Sequence, residues 1–294
     1  MEKASAEALA AAAVPPAPRN RRRRIPRPLL VGGGMLAVIV MAAALAPLIS
    51  PFPYDQMHIR DRFSPPTLTY VAGTDEYGRD VFSRTLHGAQ LSLFMGVLAT
   101  LVSLAIGVPL GLLAGYMRGA VDEATMRILD IMMAFPPIML VLLIITLTEP
   151  SLWKTSLAVG FLFVPPIARL TRSVCLEIAQ EDFVVAARAR GEGAAYILLR
   201  EILPNAWPPI IVEGSLRITF AILLAAVLSF LGFGVQPPAA DWGLMIAQAR
   251  GFIERAPWIV LAPGLAMCIT VVAVNMVGDG LREYLDPHFA GRRH

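Results

Sequence analysis

The stretch LSLFMGVLATLVSLAIGVPLGLLAGYM, residues 91–117, holds 27 consecutive residues without a charged side chain. A helix needs about 20 apolar residues to cross the hydrocarbon core of a bilayer, so this run predicts a transmembrane helix. The whole chain has the same character, because its 294 residues are 56% hydrophobic and 16% charged. Soluble domains carry about 25% charged residues. The mean hydropathy of +0.63 also indicates a membrane protein.

Five other apolar runs have a similar length. Together with the first they predict six transmembrane helices, at residues 29–50, 91–117, 128–148, 152–168, 209–235 and 258–281. The fourth is the weakest, since Lys154 lies at its edge and two prolines lie near its end. We therefore expect an all-α polytopic protein of the inner or plasma membrane.

The distribution of Lys and Arg predicts how these helices are oriented. With the N-terminus inside, the inside segments hold 17 Lys and Arg residues and the outside segments hold seven. Cytoplasmic loops carry such an excess, so both termini are expected in the cytoplasm. The predicted units are a disordered basic tail (1–28), a first helix (29–50), an extracytoplasmic segment (51–90), a five-helix core (91–281) and a cytoplasmic tail (282–294).

Glycines and prolines predict where helices approach each other or bend. Gly107, Gly111 and Gly115 recur every four residues and share one helix face, which permits close approach of a neighbour. Packing within one bundle is favoured over a dimer seam. Pro136 and Pro137 lie inside the third span and should kink it. Because broken backbone at membrane depth is tolerated along cavities, they are candidates for a translocation path.

Charged residues inside the predicted spans are few. Glu213 and Arg217 lie four apart on the fifth span, so they share a face and are predicted to pair. They are further candidates for the translocation path. Asp130 and Asp279 lie toward cytoplasmic helix ends, where capping or pairing is the expected role.

Motifs for a reaction centre are missing. The chain has no G-x-x-x-x-G-K-[ST] and only two lysines, Lys3 and Lys154, so it does not bind ATP through a phosphate-cradling loop. It has no G-x-S-x-G or H-E-x-x-H motif either. Its four histidines lack metal-ligand spacing, and its two cysteines do not suggest a disulfide framework. We expect neither an enzyme nor a cofactor or metal site.

The segment 182–205, DFVVAARARGEGAAYILLREILPN, interrupts the apolar runs with charged and Ala-rich sequence. Asp182 is predicted to N-cap a short helix, and Gly191 is predicted to end it in a left-handed conformation. A second short helix should follow and stop at Pro204. We call residues 182–205 the elbow. A segment of this shape suits insertion into the groove of another protein, although a loop that merely covers the inner end of the bundle has the same pattern.

This segment also resembles the cytoplasmic EAA coupling loop of ABC-importer permeases. Four other stretches resemble the peptide/nickel branch of that family, in particular the C-type subunits of dipeptide and oligopeptide permeases. They are GTDEYGRDVFSR (73–84), AGYMRGAVDEATMRILDIMMAFPP (114–137), SFLGFGVQPP with the following DWG (229–243) and NMVGDGLREYLDP (275–287). Because they follow the family's order and cover nearly the whole chain after residue 70, the resemblance is specific.

The resemblance implies a type I ABC-importer permease fold. It also implies a heterodimer with a sister permease, cytoplasmic ATPase subunits that bind the coupling loop, and an extracytoplasmic binding protein. The resemblance assigns ATPase coupling to Asp182, which flanks the loop motif, and to the residues that match it, Ala186, Ala187, Gly191, Pro204 and Asn205. Val185 replaces the glutamate that names the motif. Glu201 replaces a histidine usual in the family, which leaves the ATPase pairing open.

The expected function is therefore that of a permease subunit in an ATP-driven importer. Di- or oligopeptides are the expected cargo, with nickel or another small solute as alternatives, because the binding protein makes most of the selection. Two other classes remain. A secondary transporter driven by an ion gradient would need inverted repeats and midplane carboxylates, neither of which is clear here. A non-transport scaffold would explain a docking loop but not the Pro-kinked, Gly-lined helices. Residues 73–80 either contact the binding protein or cap the second span.

Overall fold

The computed structural model describes residues 25–146 and 149–285, and helices dominate them. The predicted tails therefore lie almost entirely outside the described residues. The α-helices are α1 (Arg27–Ala44), α2 (Ala46–Ile49), α3 (Val81–Met117), α4 (Gly119–Met133), α5 (Pro137–Ile145), α6 (Leu152–Leu162), α7 (Val164–Ile178), α8 (Asp182–Ala189), α9 (Ala194–Phe230), α10 (Trp242–Ala249) and α11 (Trp258–Leu285). Short 3₁₀ turns lie at Ile59–Asp61 and Arg250–Phe252.

Five helical stretches in the described chain are long and apolar enough to cross a membrane, and a sixth is formed if α4 and α5 count as one broken span. The five stretches are α1, α3, the α6–α7 pair, α9 and α11. The predicted helical class is thus confirmed, and each predicted span overlaps one of these stretches. The boundaries differ, however, since α1 ends at Ala44 rather than at residue 50 and α9 begins at Ala194 rather than at residue 209. Helix α3 begins ten residues before the predicted span, and its 37 residues measure roughly 55 Å, well beyond the thickness of a bilayer core.

The third span is broken rather than kinked. Helices α4 and α5 meet at 89° across the residues between Met133 and Pro137. Pro136 has extended backbone, with ψ of 132°, and Pro137 is the first residue of α5. Pro137 disfavours a helical conformation at Pro136, in keeping with the extended backbone there. A proline pair does not always break a helix in this chain, because Pro208 and Pro209 lie inside α9.

The glycine face of α3 packs inside the bundle. A Cβ atom at Gly107 would lie 2.7 Å from Ile167 Cγ2, and one at Gly115 would lie 2.9 Å from the carbonyl oxygen of Arg172. Both contacts are with α7, so the two backbones touch along this face. The prediction of packing within one bundle is confirmed.

Two apolar clusters occupy opposite ends of the bundle. The cluster that we call outer, because the predicted extracytoplasmic segments supply it, is Val81, Ala240, Met245, Ala249, Ala256 and Ile259. The cluster that we call inner joins α8 and the start of α9 to α3 and α7. Its members are Val108, Leu112, Ile167, Cys175, Ala179, Val184, Ala187, Ile197, Leu198, Ile202, Ala206 and Ile210.

Candidate functional site

Helix α8, the first half of the predicted coupling segment, has two distinct faces. Val184 and Ala187 are fully buried in the inner cluster. Phe183 and Val185 are 39% and 51% exposed, and Ala186 is exposed beside them. One face therefore fixes α8 to the bundle, while the other presents apolar side chains that the described chain leaves uncovered.

The turn after α8 depends on Gly191. Its φ of 80° is left-handed, as predicted, and its N–H donates to the carbonyl of Arg188 at 2.9 Å. The N–H of Glu192 donates to the carbonyl of Ala187 at 3.2 Å, which satisfies the end of the helix. The prediction for Asp182 is wrong, because Glu181 occupies the N-cap position and no side chain caps the helix. Asp182 is the first helical residue, where its charge favours the positive end of the helix dipole.

The prediction that Pro204 ends the second helix is also wrong. Helix α9 runs without interruption from Ala194 to Phe230, with a π-helical segment at Ile197–Ile202. Pro204 lies just after that segment, where the helix changes from π to α geometry. The Asn205 side-chain amide donates to the carbonyl of Glu201 at 2.7 Å. The Pro-Asn pair thus joins the π segment to the membrane helix.

Charged and aromatic side chains connect this elbow to its surroundings. Arg190 Nε lies 3.7 Å from Glu192 Oε1, and Arg190 Nη2 lies 3.8 Å from Glu201 Oε1. The unusual Glu201 therefore has a cationic neighbour within its own chain. Arg188 lies over the ring of Tyr116, near the end of α3, with its Cζ 5.1 Å from the ring centroid. Through Arg188 the elbow contacts α3, while the ion pairs of Arg190 lie within the elbow itself.

The predicted charged pair of α9 lies deeper in the bundle. Arg217 Nε donates to Glu213 Oε1 at 2.8 Å, and Arg217 Nη2 donates to the same oxygen. Glu213 also borders a cavity of about 430 Å³ between α7, α9 and α11. The other residues that line it are Leu170, Pro208, Pro209, Val212, Leu216, Arg282 and Leu285. Pro136 and Pro137 are not among them, so the structure does not bring the four path candidates together.

A buried ion cluster near the outer end was not predicted. Arg79 Nε lies 2.6 Å from Asp75 Oδ2, and Arg84 Nε lies 3.6 Å from the same oxygen. All three side chains are almost fully buried. The four-residue spacing of Asp75 and Arg79 was the available signal.

The same segment caps the long helix that follows it. Asp80 accepts a hydrogen bond from the Ser83 N–H at 2.8 Å and N-caps α3. Of the two alternatives for residues 73–80, the capping role is present in the structure. Contact with a binding protein remains a prediction.

Comparison with known proteins agrees with this architecture. Residues 107–291 match the family model of the binding-protein-dependent transport system inner membrane component. Residues 27–66 match the N-terminal TM domain of oligopeptide transport permease C. A chain of the MetNI methionine ABC transporter in an inward-facing conformation has the same fold, with a TM-score of 0.59 at 20% identity, over 69% of this chain and 96% of that one.

Several curated relatives are similar over most of their length. The dipeptide transport system permease protein DppC of Alkalihalophilus pseudofirmus is 41% identical over 88% of this chain and 85% of its own. The di/tripeptide transport system permease protein DppC of Pseudomonas aeruginosa is 41% identical, with 87% and 86% covered. The glutathione transport system permease protein GsiD of Pectobacterium atrosepticum is 41% identical, with 80% and 77% covered. The chain therefore belongs to the family of binding-protein-dependent transport system inner membrane components, the permease subunits of ABC importers.

Proposed function

We propose that this permease subunit imports di- or oligopeptides across the inner membrane, with both of its termini in the cytoplasm. The observation that carries the proposal is the elbow at Gly191, which presents an uncovered apolar face at the end of the bundle where the Lys/Arg bias predicts the cytoplasm. The relatives named above are permeases for dipeptides, di/tripeptides and glutathione, all of them peptides. Peptide is therefore a better-supported cargo than nickel.

The elbow is the proposed contact with a cytoplasmic ATPase subunit. Phe183 and Val185 supply apolar anchors on the exposed face of α8, and the helix is short enough to enter a groove. Asp182, Ala186 and Ala187 lie on the same short helix, Gly191 forms the turn that ends it, and Pro204 and Asn205 lie in α9 after that turn. A sister permease and an extracytoplasmic binding protein complete the proposed importer.

Closure of the ATPase pair would then move the membrane helices through the inner cluster. Val184 and Ala187 are fully buried against residues of α3, α7 and α9, so α8 cannot shift without displacing those helices. The break at Pro136 and Pro137 is the proposed hinge, because α4 and α5 meet there at 89°. The bundle would exchange inward- and outward-open states driven from outside the chain.

The test is purification of this chain in mild detergent, followed by reconstitution with the partners recovered. We expect a second permease and a P-loop ATPase, and ATP-dependent uptake of alanyl-alanine when binding protein is present. Substitution of Gly191 should release the ATPase. Uptake that follows an ion gradient without any ATPase would support the secondary transporter instead, and no uptake under either condition would support the scaffold.

A further inference from the structure

We infer that the cavity between α7, α9 and α11 binds the two charged ends of a small peptide, with Arg282 receiving the carboxylate and Glu213 receiving the ammonium group. The inference rests on the proposed function, since it names the place in the permease where peptide termini are held. Neither residue pairs with the other in the structure, although both border the same space.

The size and walls of the cavity suit a small organic molecule. Its volume of about 430 Å³ falls within the range of roughly 300–1,000 Å³ that small-molecule sites occupy. Leu170, Val212, Leu216 and Leu285 make most of its surface apolar. Small-molecule sites combine such walls with a few convergent polar groups that orient the ligand. Glu213 and Arg282 are the charged groups that line this one.

Glu213 keeps one carboxylate oxygen available. Both hydrogen bonds from Arg217 fall on Oε1, and Oε2 has no hydrogen-bond partner among the residues that the structure describes. The side chain is 20% exposed, so a ligand can reach it from the cavity. An ammonium group is a compact donor with three N–H bonds, and it can use this oxygen without breaking the existing pair.

Arg282 supplies the opposite charge from the facing helix. It lies in the last turn of α11, and within residues 25–146 and 149–285 it forms no ion pair. Asp279 and Glu283 share its helix but do not line the cavity. A guanidinium binds a carboxylate through two parallel N–H bonds, which fixes the orientation of a planar end group.

The combined charges favour a zwitterion over other cargo. Among the described residues, Glu213 is largely offset by Arg217 and Arg282 forms no ion pair, so the described lining is net positive and repels a free divalent cation. A lone anion would leave Glu213 Oε2 without a donor. A peptide with free ends satisfies both groups, and blocking either end removes one of the two contacts.

The test titrates the permease–ATPase complex, in nanodiscs and without binding protein, with three probes: alanyl-alanine, its N-acetyl derivative and its C-terminal amide. We expect saturable binding of the free dipeptide and about tenfold weaker binding of either blocked form. Arg282→Gln should weaken binding of the free dipeptide about tenfold, so that its affinity equals that of the C-terminal amide. Arg282→Lys should keep part of the preference for the free dipeptide over the amide. Glu213→Gln should remove the preference over the acetyl derivative.

The exposed pair Glu123 and Arg127 provides matched controls, because it has the same four-residue spacing on α4 with side chains 68% and 76% exposed. Glu123→Gln and Arg127→Gln should leave all three affinities unchanged. Equal affinity for the three probes, or a loss in Arg282→Gln that is equal for all three, overturns the inference, as does the absence of saturable binding. Uptake of alanyl-alanine by the complete wild-type importer is measured in parallel. Normal ATP-driven uptake alongside such a result refutes only the cavity, whereas absent uptake refutes the proposed function.

Discussion

Arg188 on α8 lies over the ring of Tyr116 at the end of α3, with its Cζ 5.1 Å from the ring centroid. Tyr116 packs against the inner cluster, and Val184 and Ala187 of α8 are members of that cluster. The proposed ATPase-binding helix is therefore joined to the transmembrane helix α3 by both an apolar and a cation–π contact. A movement of α8 would therefore be transmitted directly to α3.

Removing that cation–π contact should weaken coupling without preventing membrane insertion. We expect Arg188→Ala and Tyr116→Leu to lower the amount of peptide imported per ATP hydrolysed about twofold to fivefold, because such contacts contribute about 0.5–1 kcal/mol at exposed sites. The measurement is simultaneous uptake and ATP hydrolysis in proteoliposomes. Tyr116→Phe retains the ring face and serves as the control. An unchanged ratio in both disrupting variants would exclude this contact from the coupling route.

The left-handed conformation at Gly191 should be essential to the elbow. Gly191→Pro forces φ near −65° where the native value is 80°, so ATP-driven uptake should be abolished while membrane insertion remains intact. Gly191→Ala should reduce it less, at a strain of about 1 kcal/mol, since a Cβ there meets no atom within 4 Å.

Gly193→Ala is the matched control for this series, because Gly193 has a φ of −72° and is equally open. Uptake and membrane content of the three variants are measured together. Normal uptake by Gly191→Pro would refute the assignment of residues 182–205 as the coupling segment.

The ion pair of Glu213 and Arg217 should behave as a unit in stability measurements. Each side chain is about one-fifth exposed, so reversing either charge alone places two like charges together in a partly buried site. Glu213→Arg combined with Arg217→Glu should recover on the order of 1–2 kcal/mol relative to the sum of the single changes. Thermal unfolding of the purified chain in detergent measures this coupling. Strictly additive losses would show that the two charges act independently.

Asp241, which N-caps α10, should make stability depend on pH. Burial raises the pKa of its carboxyl to about 6, although the Gly243 and Leu244 N–H groups partly oppose the shift. Because the folded state then binds the proton more tightly than the unfolded state, stability should fall by on the order of 2–3 kcal/mol as pH rises from about 4 to about 6.

Asp241→Asn keeps an acceptor for both N–H groups but cannot ionise. The variant should therefore lose this part of the slope, which thermal unfolding between pH about 4 and about 7.5 would detect. The same slope in the variant and the wild type would assign the pH dependence to other groups.

Local chemistry explains which predictions agreed with the structure. A long apolar run predicts a span wherever it lies in the chain, and Gly191 ends α8 without help from distant residues. The two proline pairs differ: α4 and α5 are separated at Pro136 and Pro137, whereas α9 continues through Pro208 and Pro209. The predictions that were wrong concern helix ends. Pro204 is tolerated because it follows a π-helical segment, and α3 starts at Val81 because Asp80 caps it outside the apolar run. Both ends depend on hydrogen bonds that hydropathy does not describe.

The sequence by itself determined that this is a helical membrane protein of several spans with a helical elbow at residues 182–205, since each of those features depends on residues close together in the chain. Only the tertiary structure decided what the elbow touches, which charges are paired and where a cavity remains. Glu213 and Arg282 are 69 positions apart, and they come to one cavity because α7, α9 and α11 pack against each other. That packing sums many weak contacts between distant residues, so no single stretch of sequence specifies it.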